Sequence, residues 1–221
     1  MLSNAIKQIE RECARLEQDI TALQNIDVND DPEEFNRLYY QAVMRSEFLV
    51  LKLRQFLYDT TDIQPDEYLE KAADTLGITI SCNEGGIVDI TLPNLMPTRK
   101  YKATDVILAP LYVILKKFVA DRSHKSPFKR FEHCAICITN VYDKSLLKKQ
   151  RIRDPDNIEI KGIIDVINTF LLVDDSGNLC TYVNASEISD NNFTRISIMK
   201  SDMLPAWILR HQNRLKTMSQ N

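Results

Sequence analysis

The hydrophobic period of this chain first changes at Gly77, and that change limits the available folds more than any other feature. Before Gly77 apolar residues recur every three or four positions, the spacing of a helix face. Just after it, over residues 78–92, they alternate every two, the spacing of a strand. Ile6, Ile9, Cys13, Leu16, Ile20 and Leu23 trace one helix face over residues 3–25. Asp31-Pro32-Glu33-Glu34 opens a second helix, with a capping Asp, a Pro in the first turn and two carboxylates at the positive helix end. Its stripe is Phe35, Leu38, Ala42, Leu49 and Phe56, and it runs to about Tyr58. A shorter third helix follows Pro65 and stops at Gly77. Residues 1–76 therefore read as an α-helical module, either an antiparallel hairpin packed on the rest of the chain or a surface for dimerisation or a protein partner.

Beyond Gly77, residues 78–82 and 87–92 flank Asn83-Glu84-Gly85-Gly86, which signals a β-hairpin. An apolar helix is expected over residues 104–120, a strand over 134–142, and a helix from Asn157 to about Thr169 with the stripe Ile160, Ile163, Ile164 and Ile167. Short strands follow at 171–173, 179–183 and 193–199, and a last helix at about 202–216 carries the single tryptophan, Trp207. The expected class is α+β: a helical hairpin module (1–76), a mixed α/β domain (77–200) and a C-terminal helix (201–221).

Charge divides the chain along nearly the same line. Residues 1–85 hold 8 Lys/Arg against 17 Asp/Glu, whereas residues 116–153 hold 11 Lys/Arg against 3 acids. The first region repels a polyanion and the second attracts one, although lysines that merely solubilise two loops would look the same. Lys116, Lys117, Arg122, Lys125, Lys129, Arg130, Lys148, Lys149, Arg151 and Arg153 are the candidate DNA contacts. The longest apolar run, Val106 to Leu115, is too short for a bilayer span, so no membrane segment is expected. The start of the sequence lacks a basic-then-apolar leader, and five scattered cysteines suit a reducing compartment, so the expected location is cytoplasmic.

Two acidic corners bracket the Asn157–Thr169 helix. Asp154-Pro155-Asp156-Asn157 precedes it and Asp174-Asp175-Ser176-Gly177 follows it. Each alone makes an ordinary helix cap or turn. Together they constrain more: thirteen helical residues rise about 20 Å, and the six residues from Phe170 to Asp175, extended, return about 20 Å. If the strand turns back along the helix, four carboxylates meet. Such a group is costly unless a hard cation such as Mg²⁺ or Mn²⁺ neutralises it. A carboxylate-bound metal beside basic residues is the chemistry of phosphodiester hydrolysis.

The order of these residues resembles the RusA-type crossover-junction (Holliday junction) endodeoxyribonucleases. The similar run here is Arg151-Ile152-Arg153-Asp154-Pro155-Asp156-Asn157, then Lys161 and Asp165, then Asp174-Asp175, within a similarity over about residues 86–200. The resemblance implies metal binding by Asp154, Asp156, Asp174 and Asp175. Asp154, Asp156 and Asp175 would be essential, and Asn157 would fix the local turn. It also implies a homodimer that makes paired cuts in branched DNA, and an origin in a phage or mobile element. The family's catalytic lysine lies four residues after the second motif Asp; here Ile160 stands there and Lys161 follows, a rotation of about 100° around the helix. Glu159 could face the site instead. The acidic N-terminal module is foreign to the compact enzymes. A catalytically inactive relative, binding nucleic acid or assembling through residues 1–76, is the rival reading.

Two other motifs carry less. Cys134 and Cys137 form a C-x-x-C on an expected strand, where positions three apart face opposite ways, so zinc is not expected there. His124, His133 and His211 are dispersed, with no motif for Ser/His/Asp catalysis.

Overall fold

The computed structural model describes residues 2–96, 105–123, 128–145, 152 and 158–218. The chain divides into two compact units, Met1–Pro65 and Asp66–Asn221.

The first unit is a helical hairpin of α1 (Leu2–Gln24) and α2 (Pro32–Thr60). The expected cap forms: the Asp31 carboxylate accepts the Glu34 N–H at 3.0 Å. An ion pair of 2.8 Å between Arg45 on α2 and the nearly buried Asp19 on α1 joins the helices. Only Leu38 and Ala42 are buried on α2, while Tyr39, Tyr40, Met44, Phe48 and Leu51 stay exposed.

The second unit carries α3 (Pro65–Leu76), β1 (Thr79–Cys82), β2 (Val88–Leu92), α4 (Asp105–Ser123), β3 (Cys134–Asp143), α5 (Lys161–Leu171), β4 (Cys180–Ser189), β5 (Phe193–Lys200) and α6 (Leu204–Met218). The five strands form one sheet in the order β1-β2-β5-β3-β4. Its pairs are antiparallel except β3–β4. Parallel neighbours need a long connection, and α5 lies within it. The expected α+β class with N-terminal helices is the observed one.

Alternation sorts the sheet into two faces. Ile90, Ile136, Ile138, Ile196 and Ile198 point to one face and pack with Leu111 and Leu115 of α4 and Ile163, Ile167 and Leu171 of α5. Ala73 of α3 is fully buried in the same cluster, so α3, grouped with the helical module from sequence, packs with the sheet. Ile87, Ala135, Cys137 and Met199 lie on the other face, beneath Met203, just ahead of α6, and Leu204 and Trp207 at its start. Cys134 and Cys137 thus fall in different clusters, on opposite faces.

Three elements differ from the sequence expectation. Helix α5 begins at Lys161, not Asn157. Ile158 is already buried, and Ile160 takes the cap position without a side-chain cap bond. The strand expected at 171–173 is a single bridge, Leu172 to Phe131. Strand β4 runs to Ser189, well past Val183, because it pairs along all of β3. A buried ten-residue strand offers ladder bonds whatever the polarity of its neighbour, and this overrides the polar run Asn184-Ala185-Ser186-Glu187.

Candidate functional site

Asp174 and Asp175 leave α5 on a short tether. After Leu171 the backbone is pinned to the segment before β3: the Phe131 N–H donates to Leu171 O at 2.8 Å, and the Val173 N–H donates to Phe131 O at 2.9 Å. The turn then closes locally, with the Asp175 N–H donating to Asp174 Oδ1 at 2.9 Å. Both carboxylates keep access to solvent, Asp174 exposed and Asp175 half-buried. The Tyr182 hydroxyl lies 3.4 Å from Asp175 O. Burial, then the Cys180 sulfur, and then the Asp175 charge among others push the Tyr182 phenol well above its ordinary range.

The other acidic corner, with Asp154, Asp156 and Asn157, lies outside the described residues, as do Lys125, Lys148, Lys149, Arg151 and Arg153. Among the described residues no group of three or more His, Cys, Asp or Glu side chains comes together. Asp174 and Asp175 supply two hard oxygen donors, suited to Mg²⁺, which commonly takes one or two carboxylates and completes its shell with water and phosphate oxygens. Lys161 is exposed at the first position of α5, and the helix rises about 15 Å from there to Leu171. Glu159 is half-buried just ahead of it.

The candidate DNA contacts among the described residues fall into two groups. Lys116 and Lys117 on α4 face α3, where Lys116 pairs with Asp66 at 2.8 Å and Lys117 with Glu70 at 2.5 Å. Hydrogen bonds to these carboxylates raise both lysines above their ordinary range. Arg122, Lys129 and Arg130 belong to the other group. The Arg122 guanidinium sits 4.6 Å over the Phe118 ring, which meets Phe128 edge to face. Lys129 and Arg130 follow Phe128 and precede Phe131, the residue bridged to Leu172. They also line a cavity of about 690 Å³ with Phe128, His133, Lys200 and Asp202. Basic side chains and the Asp174–Asp175 turn therefore share one end of the sheet.

Sequence reasoning missed a second polar cluster, on the α6 face of the sheet. Glu187, only 5% exposed, receives His211 Nδ1 at 2.8 Å and lies 3.6 Å from Arg195. Glu187 sits inside the polar run of β4 and His211 on the terminal helix, so no local motif announces the pair.

A model of a family described as "Family of unknown function (DUF6100)" matches residues 1–221. No curated protein matches the sequence. Among solved structures, the periplasmic domain of Helicobacter pylori MotB (residues 90–256) is 15% identical, with a TM-score of 0.32 over 61% of this chain and 86% of that one. A putative translation initiation inhibitor from Salmonella typhimurium is 8% identical, with a TM-score of 0.24 over 56% of this chain and 88% of that one. Similarity this low carries no argument about either fold or function. No helix among the described residues is long and apolar enough to cross a membrane.

Proposed function

We propose, for a chain that belongs to the DUF6100 family, that it is a Mg²⁺- or Mn²⁺-dependent endodeoxyribonuclease acting on branched or structured DNA. The observation that carries this reading is the tether: a carboxylate turn bonded through Leu171 and Val173 to Phe131, in a segment bearing Lys129 and Arg130. The resemblance of the 151–175 run to RusA-type enzymes supplies the reaction class, and the rest is chemistry. In this reading Asp174 and Asp175, with Asp154 and Asp156, hold the metal. A divalent metal held there would supply an activated water and offset charge on the scissile phosphate. Arg122, Lys129 and Arg130 contact backbone phosphates and fix the strand without reading its sequence. Asp174 accepts the Asp175 N–H, which orients the turn before any cation arrives. A homodimer would make the paired cuts.

The test is incubation of the wild type, Asp175→Asn and Asp156→Asn with four-way junctions and linear duplex, each with Mg²⁺, Mn²⁺ or chelator. Metal-dependent cleavage by the wild type alone supports the proposal. Equal nicking by all three proteins, or none by any, overturns it. One observation favours a second reading, a non-catalytic DNA-binding or assembly protein: acidic α3 occupies two of the expected DNA contacts, Lys116 and Lys117. Salt-sensitive junction binding without cleavage selects that reading.

A further inference from the structure

The α6 face of the sheet holds a cavity of about 350 Å³ with an unusual charge arrangement. Alternation sends Asp89 and Thr91 of β2 and Arg195 and Ser197 of β5 to this face, since their neighbours Ile90, Ile196 and Ile198 point into the α4–α5 core. Helix α6 crosses above them, and Trp207, Arg210 and His211 complete the lining. Two of these charges are settled within the protein. Glu187 has His211 on one carboxylate oxygen and Arg195 near the other, and the His211 ring stacks on the Trp207 indole at 5.2 Å. Two are not. Asp89 receives the Ser197 hydroxyl on Oδ1 and has no ion-pair partner among the described residues. Arg210 lines the same cavity and likewise has none among them.

We propose that this cavity binds a small zwitterion of the amino-acid class, with its carboxylate on Arg210 and its ammonium on Asp89. A cation and an anion that share a cavity yet do not pair with each other fit a ligand carrying both opposite charges. A guanidinium offers the fork that a carboxylate accepts. The volume lies near the small end of ligand pockets and suits a small occupant. The indole and imidazole provide a flat, part-apolar wall for a side chain. Nothing in the nuclease proposal requires this site, and its test is independent of DNA cleavage.

Trp207 is the only tryptophan, so its emission reports the cavity directly. The full chain would be titrated with the standard amino acids, with the matching des-amino carboxylic acids and with inorganic phosphate, and Trp207 fluorescence followed. At least one amino acid should give a saturable change. Its affinity should fall about tenfold or more in Arg210→Gln and in Asp89→Asn, the usual loss for one charge-assisted contact. The des-amino acid should bind the wild type weakly and be insensitive to Asp89→Asn. No saturable response to any amino acid, or one unchanged in Arg210→Gln, overturns the proposal. Saturation by phosphate alone also overturns it, in favour of an anion site. Arg210 is exposed, so its variant is expected to fold, and near-ultraviolet circular dichroism confirms it.

Discussion

Two thiols on opposite faces of β3 are as informative as any carboxylate here. Cys134 and Cys137 are fully buried, and burial pushes each thiol from its ordinary 9.0 up to about 12; at Cys134 the Cys180 sulfur, 3.5 Å away, adds to the effect. The native state thus holds the neutral thiol, while the unfolded chain gives up its proton near 9. A group raised in the folded state stabilises fully below its unfolded value. That contribution is lost as pH climbs from about 9 to about 12. The urea midpoint should therefore fall between pH 8 and pH 10.5, and Cys137→Ala should flatten the fall; a slope unchanged by the variant would show that other groups set it. Cys13, the exposed thiol, should react first with an alkylating reagent at pH 8. Such properties were partly legible in the sequence. An expected strand sends residues three apart to opposite faces, so the split of Cys134 from Cys137 follows from spacing. The approach of Cys180 to Cys134 does not, because it depends on the parallel register of β4.

At the level of elements, the stripe on α5 was readable and its start was not. Ile163, Ile164 and Ile167 are buried as the 3,4 spacing requires. The first turn moved because Ile158 and Ile160 serve the core from outside the helix, a tertiary demand that local propensity does not record. Ile167→Ala should cost about 2–5 kcal/mol, since its fully buried side chain leaves a cavity between α5 and the sheet. Chemical denaturation measures this, and a loss under about 1 kcal/mol would mean that the core collapses to fill the gap. The meeting of α3 and α4 was likewise invisible, because Lys116 and Lys117 lie about fifty residues from Asp66 and Glu70. These ion pairs are exposed, so little stability depends on them. Their consequence is electrostatic. The double variant Asp66→Asn, Glu70→Gln frees two cations on α4. Junction binding should tighten and its logarithmic salt slope should steepen by about two. An unchanged slope would remove Lys116 and Lys117 from the proposed DNA contacts.

The whole molecule is two units with separate economies of packing. All five strands and both apolar clusters belong to Asp66–Asn221, whereas Met1–Pro65 buries few apolar side chains on its own helices. Gly77, where the sequence period changes, lies eleven residues beyond the structural boundary, because α3 has a helical pattern but spends its buried Ala73 on the sheet. Periodicity identifies the type of an element and is silent about which neighbour it covers. A fragment starting at Asp66 should therefore unfold cooperatively, with near-ultraviolet dichroism and far-ultraviolet dichroism melting together. Divergent transitions would show that the hairpin is needed for the sheet to pack. The same fragment separates two roles of α1 and α2. Their exposed aromatic and aliphatic side chains form the surface on which a dimer contact is tested first. If they supply it and the nuclease proposal holds, the fragment sediments as a monomer and nicks a junction on one strand, while the full chain sediments as a dimer and makes paired cuts. If the fragment still makes paired cuts, the dimer contact lies within residues 66–221 and the hairpin serves some other partner.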